Sequence, residues 1–276
     1  MKTLFKFSLT TATLFILTPF TSCQEDDVVD AITNAFEFNA EDNNRAAQAD
    51  GTIEGAFNIM ENGYVEGEEG RNQTTSLFPD CVTITIQPNG EGGVITLDFG
   101  EGCTLNNGAN VTGIMTIEYG AFVAGTRTIN YSYNNFTYNQ NTVTGGGEVF
   151  RQIANENENP QSTVNETITV GYPNTDVTAT RTGTRVVEWT AGVGSGTWVD
   201  NIYFITGNWD TQFTNGFFRN GLVTQTLIRE LDCPYIVSGR LEVSQNSFDG
   251  TIDWGDDSCD NQATFEIGGE VYDIVL

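Results

Sequence analysis

Between Ala46 and Tyr64 apolar side chains recur every three or four positions: Ala46, Ala49, Ile53, Phe57, Met60 and Tyr64. At 3.6 residues per turn these share one face, so the spacing predicts a helix over about 45–66 that packs on something. Gly51 and Gly55 interrupt it, each costing up to about 1 kcal/mol relative to alanine. Past Gly67 and Gly70 the period shortens to two. Val82, Ile84 and Ile86 alternate with threonines, then Ile95, Leu97 and Phe99, Met115, Ile117 and Tyr119, and Ile129, Tyr131 and Tyr133. ETITV, TRVVEWT, NIYFIT, VTQTLI, YIVSGRLEV, ATFEI and VYDIVL continue the strand-like series. Turn signals separate them, such as Pro88-Asn89-Gly90, Asn106-Asn107-Gly108, Asn215-Gly216, Asn220-Gly221 and Gly268-Gly269, and NENENPQ (Asn155 to Gln161) reads as an exposed loop. The expectation is a mainly β protein: one antiparallel sheet domain over 45–276 with one N-terminal packing helix. A sandwich, an open barrel and a long curved sheet all fit the pattern.

Ahead of the helix the pattern is of another kind. Lys2 and Lys6 open the chain, LTTATLFILTPF follows as a short apolar run, and FTSC leads into Cys23. The run is too short to span a bilayer, and residues 1–22 are expected to be a removable signal peptide. The end of the run resembles a bacterial lipobox, with Phe20 where leucine is commoner, which implies a lipidated Cys23. Gln24-Glu25-Asp26-Asp27 resembles the surface-export signal of Bacteroidetes lipoproteins. Residues 23–44 then form an acidic tether carrying Val28, Val29, Ile32 and Phe36.

Charge narrows the chemistry. Both lysines fall in the signal segment, leaving nine arginines against 37 acidic residues and no histidine; the formal charge moves from −26 to −28. Without imidazole there is no Ser-His-Asp or Cys-His pair. Without lysine there is no Ser-Lys hydrolase, Schiff-base chemistry or P-loop. Histidine-held zinc and iron are excluded, and nucleic acid is not an expected partner, since clustered cations are what bind phosphate backbones. What remains is carboxylate chemistry, oxygen-ligated cations, or a role without chemistry.

Four further cysteines, Cys81, Cys103, Cys233 and Cys259, suggest two disulfides in an exported chain, with three pairings open. An internal echo selects among them. Asp98-Phe99-Gly100 lies between Cys81 and Cys103, and Asp253-Trp254-Gly255 between Cys233 and Cys259. Pairing Cys81–Cys103 and Cys233–Cys259 would staple two hairpins and stabilise each by about 3 kcal/mol.

The order DFGEGCT, GIMTIEYG, RVVEWTAG, NIYFITG, LDCPYIVSGRLEV and TIDWGDDSCDNQATFEIGG resembles a family of uncharacterised Bacteroidetes outer-membrane lipoproteins. The likeness covers nearly all of the chain after the signal segment, and D-C-P-Y-I-V-S-G and D-W-G-D-x-x-C-D-N-x-A-T are its most specific parts. It implies attachment to the outer membrane through the N-terminal lipid, facing the cell exterior. It implies no activity and no catalytic residues. Where the family often carries a basic segment after the second cysteine, Leu105 to Val111 has no charge, so a ligand tied to that segment does not transfer.

Calcium is the one cofactor with a candidate place, at Asp253, Asp256, Asp257 and Asp260, because Ca²⁺ takes six to eight oxygen ligands. The spacing is not that of an EF-hand, and a solvated disulfide-bounded turn explains the same residues. Asp98-Phe99-Gly100 lacks the other elements of a kinase, and GVGSGT (Gly192 to Thr197) reads as a hairpin loop. Trp189, Trp198, Trp209 and Trp254 fit sugar platforms or core packing equally. The function expected is a cell-envelope lipoprotein with a non-enzymatic binding or structural role and a glycan or protein ligand. The alternative is a carboxylate-dependent glycan hydrolase, which needs two acids flanking a cleft.

Overall fold

The computed structural model describes residues 40–69, 76–195, 200–230, 232–233, 235–246, 248–260 and 262–275. The expected signal segment, Cys23, most of the expected tether and Trp198 lie outside these. The apolar stripe forms helix α1, Ala40–Tyr64, continued by a π-helical turn, Val65–Glu69. Every stripe residue is buried, from Ala46 to Tyr64. The helix starts five residues before the predicted boundary, so 40–44 is helix rather than tether. The reason is polar: Asp42 is buried, accepting hydrogen bonds from Arg45 (3.1 Å) and Asn215 (2.8 Å), which ties the first turn down.

Fourteen strands follow: β1 Thr83–Asn89, β2 Gly92–Asp98, β3 Cys103–Thr104, β4 Asn110–Tyr119, β5 Thr126–Tyr138, β6 Asn141–Gln152, β7 Gln161–Gly171, β8 Thr178–Ala191, β9 Ile202–Phe213, β10 Phe218–Glu230, β11 Ile236–Gln245, β12 Phe248–Asp256, β13 Gln262–Ile267 and β14 Glu270–Val275. They make one open antiparallel sheet whose strands pair in chain order, with β3 off the path on β4. Of the architectures the pattern left open, a single long sheet is the one formed. α1 lies on one face of it. Its apolar side chains share a core with Ile95, Leu97, Met115, Ile117, Ile129, Val149, Val164 and Ile168. Each such fully buried side chain contributes about 1.5–3 kcal/mol.

The close fit of helix on sheet depends on glycine. A Cβ on Gly63 would stand 2.6 Å from a Leu97 methyl and 3.1 Å from one of Ile117, and on Gly67 2.6 Å from Ile95. Glycine also alternates with bulk along one row across the sheet: Tyr131 faces Gly147, Gly147 faces Glu166, Glu166 faces Gly183, Gly183 faces Trp209, and Trp209 faces Gly221. The Tyr131 and Trp209 rings lie over the bare positions of Gly147 and Gly221. β6 escapes the alternation rule because Gly145-Gly146-Gly147 interrupts its pattern. Gly145 needs to be glycine, with φ at 96° and the Thr167 carbonyl 2.2 Å from where its Cβ would be.

Hairpin turns alternate between two ends of the sheet. α1 begins at the end of the β7–β8 and β9–β10 turns, where the Tyr172 hydroxyl donates to the Arg45 carbonyl (2.7 Å). It finishes at the end of the β4–β5 turn, where Arg127 donates to the Tyr64 hydroxyl (3.0 Å). Both disulfides form as the echo predicts, Cys81–Cys103 and Cys233–Cys259. The echo has a local cause. The Gly100 amide donates to Asp98 Oδ1 (2.8 Å) and the Gly255 amide to Asp253 Oδ1 (2.9 Å), so each Asp-aromatic-Gly is the same side-chain-closed turn. Each second cysteine lies beyond its turn rather than at the end of the strand before it, Cys103 in β3 and Cys259 after β12.

Candidate functional site

Strand parity decides which charges meet. On the helix-covered face, β8 carries Arg181 and Arg185, β7 carries Glu166 and β10 carries Arg219; α1 sets Asp50 and Glu54 one turn apart above them. Arg181 lies 3.6 Å from Asp50, 3.3 Å from Glu54 and 3.4 Å from Glu166. Arg185 pairs with Glu54 and stands 4.0 Å from Glu166, and Arg219 is 3.3 Å from Asp50. The Tyr131 hydroxyl donates to Glu166 Oε2 at 2.8 Å. Guanidinium faces that make no hydrogen bond there stack on rings: Arg181 over Trp209 (4.8 Å) and Arg185 over Phe57 (4.1 Å). Further along α1, Arg151 pairs with Glu61 and lies over Tyr64, and Arg229 reaches Asn58.

Burial and charge act against each other here. Desolvation raises Asp50 above the usual carboxylate range despite Arg219 and Arg181, with neighbouring Glu54 adding to the rise. For Glu54 desolvation also opposes ionisation, but Arg185 and Arg181 together outweigh it and hold the group below its usual value. Burial, with the Glu166 charge, pushes the Tyr131 and Tyr133 phenols up. The cluster therefore joins Glu54, which arginines hold down, to Asp50, which burial pushes the other way, and to phenols that stay protonated. Its evident work is to hold α1 on the sheet.

The outer face of the same strands carries an open hollow of about 430 Å³. Asn165, Thr167, Thr182, Thr184, Asn208 and Asp210 line it, together with Gly146 and the backbone of Gly183. The Thr184 hydroxyl donates to Asn165 Oδ1 at 2.8 Å. Glu166 also borders the hollow, but it belongs to the Gly183 row and Asp210 to the Thr182 row, on opposite faces of the sheet. The two acids cannot flank one substrate.

The predicted calcium residues fall in and after β12 and are not brought together around one point. Among the described residues, no group of three or more Asp, Glu, Cys or His is placed to hold a metal. Asp253 accepts from Arg240 (2.8 Å) and from the Gly255 amide, and Asp260 Oδ1 accepts the Gln262 amide (2.9 Å). The Asp257 amide donates to the Val237 carbonyl, with Asp257 itself at a φ of 71°. These are turn and cross-strand contacts. Trp209 is bound up with Arg181 and the glycines beside it, and Trp189 pairs with Tyr203 at 6.0 Å. Neither forms a platform around the hollow.

The exclusions drawn from composition rest on the missing histidine and lysine, and the place of the arginines is not visible in it. The available signal was positional and partial: Arg185 sits inside the strand-like run TRVVEWT, Arg127 and Arg229 adjoin others, and the acids Asp50, Glu54 and Glu61 sit on the predicted helix, whereas Arg151, Arg181 and Arg219 lie outside the runs the pattern marks. No family model, curated protein or solved structure matches the chain.

Proposed function

We propose that this is a cell-envelope lipoprotein, anchored in the outer membrane by a lipid on Cys23, facing the exterior, with a non-enzymatic binding or structural role. The lipobox-like approach to Cys23, the acidic residues behind it and the resemblance to Bacteroidetes lipoproteins support the anchor. The observation that supports a role without catalysis is the use of the internal carboxylates. Asp50, Glu54, Glu61 and Glu166 are each held by arginine at the helix–sheet interface, and the open hollow presents the single outward carboxylate of Asp210. A glycan hydrolase needs a facing pair at about 5 Å or about 6.5–9.5 Å, so that alternative has no support in this arrangement.

The test is expression of the full chain and of Cys23→Ala in a bacterium that processes lipoproteins. The expected chain starts at residue 23 with an acyl mass increment, fractionates with the outer membrane and is shaved from intact cells by protease. Cys23→Ala should lose the increment and leave the membrane fraction. A wild-type chain without acyl mass would sink the anchor. Reducing ends released from polysaccharides by the purified chain would sink the non-enzymatic reading.

A further inference from the structure

Four of the large apolar side chains left open to solvent belong to turns at one end of the sheet. Phe122 and Val123 are in the β4–β5 turn, 39 % and 68 % exposed; Ile153 follows β6 at 56 % and Val193 follows β8 at 51 %. The turns are neighbours along the rim: the Ile153 amide donates to the Gly125 carbonyl (2.9 Å), and the Trp189 amide to the Pro160 carbonyl (2.9 Å). Phe122 is braced from beneath by the Arg127 guanidinium, 3.9 Å from its ring. This is the end where α1 finishes, so the chain enters the helix from the opposite end.

The charge around these side chains has one sign. Exposed Glu91, Glu156, Glu158, Asp200 and Asp232 lie in the same and the neighbouring turns, with Asp256, Asp257 and Asp260 further along this end at the close of β12 and the turn after it, and no arginine or lysine lies in any of these turns. The arginines nearest the apolar group are buried Arg127, bonded to Tyr64, and Arg151, paired with Glu61. Apolar anchors inside a charged rim are the anatomy of a protein interface. We infer that this rim is a docking surface for a protein segment that presents an apolar stripe flanked by lysines and arginines. An anionic lipid surface would be repelled by the rim, and a second copy would set like charges against each other. The inference rests on reading the protein as a binding module and is independent of its lipid anchor.

The probe is a synthetic 20-residue amphipathic helix with a leucine–phenylalanine stripe and flanking lysines and arginines. One control peptide has serine in the stripe; another has glutamate for each cation. Titration uses the purified full chain, Phe122→Ser/Val123→Ser, Glu156→Gln/Glu158→Gln/Asp200→Asn, and Leu222→Ser on the outer face as control, with circular dichroism confirming each fold. The expected result is at least tenfold weaker binding for the apolar and the acidic rim variants and none of that loss for Leu222→Ser. Binding should also fall at least tenfold between 0.05 and 0.5 M salt, because the screening length between exposed charges shortens from about 10 Å at 0.1 M to about 3 Å at 1 M, and both controls should bind at least tenfold more weakly. Equal affinity of wild type and Phe122→Ser/Val123→Ser, or of the stripe and serine peptides, overturns the inference. So does rim-dependent binding to phosphatidylglycerol vesicles or rim-dependent dimerisation in sedimentation. Lipidation of Cys23 is read separately by mass, so either idea can fail without the other.

Discussion

Gly51 and Gly63 sit twelve residues apart on one helix and have opposite meanings. Gly51 is exposed, with nothing within 4 Å of where a Cβ would be, whereas Gly63 faces Leu97 and Ile117, both fully buried. Propensity alone treats the two alike, each as a weakness in the helix. Gly51→Ala is expected to raise unfolding free energy by about 0.5–1 kcal/mol through helix propensity. Gly63→Ala gains the same propensity, but the methyl must displace the ends of two fully buried side chains, so a net loss of about 1–3 kcal/mol is expected. Urea titration at constant m-value separates them; stabilisation by both would mean that α1 does not rest closely on the sheet. The distinction was not legible in the sequence because it depends on which strand residue lies beneath each glycine. That is a matter of register rather than composition.

Among elements, legibility followed periodicity. The stripe of α1 and the alternation in most strands were readable because burial on one face imposes a period. β6 was not, since its three glycines serve bulges and neighbouring rings rather than a hydrophobic face. The ionic contacts between α1 and the sheet were also invisible, because a strand arginine has no periodic signature and its partners on α1 are far off in sequence: Arg151 lies 90 positions from Glu61 and Arg181 127 from Glu54. These contacts set an acid dependence whose sign follows from the shifts. Glu54 is held below its unfolded value of 4.5, so its stabilisation is present above about pH 4.5 and is lost as pH falls through its folded pKa. Asp50 is raised above 3.8, so its contribution is present below about pH 3.8 and is lost as pH rises through its folded value. Glu54→Gln should therefore be less stable than wild type at pH 7, with the difference closing in strong acid. Asp50→Asn should remove a term of the opposite slope. Chemical denaturation at steps from pH 7 to pH 3 measures both. A Glu54→Gln deficit that stays constant across that range would show that packing rather than charge holds the contact.

For the molecule as a whole, the decisive feature is that its charges are sorted by sign. Seven of the eight described arginines lie on α1 or the face it covers. The eighth, Arg240, is paired with Asp253 on the outer face at 2.8 Å. The solvent thus meets a surface of carboxylates whose mutual repulsion opposes the folded state, while the attractive pairs have their arginines largely buried and are screened less than exposed charges, even with Glu54 43 % exposed. Raising ionic strength shortens the Debye length from about 30 Å at 0.01 M to about 10 Å at 0.1 M and about 3 Å at 1 M. Screening should relieve the repulsion and leave the internal pairs largely intact, so the melting temperature is expected to rise with sodium chloride. At about 2–4 °C per kcal/mol for a chain of this size, relief of about 1–2 kcal/mol corresponds to about 2–8 °C. A protein stabilised chiefly by exposed ion pairs would respond with the opposite sign. Calcium chloride at matched ionic strength completes the experiment. Because Asp253 and Asp260 are engaged in cross-strand and turn contacts, calcium should add no more than its share of screening. A larger rise that disappears in Asp256→Asn/Asp257→Asn would instead place an ion at the turn after β12, since a ligand that binds only the native state must stabilise it.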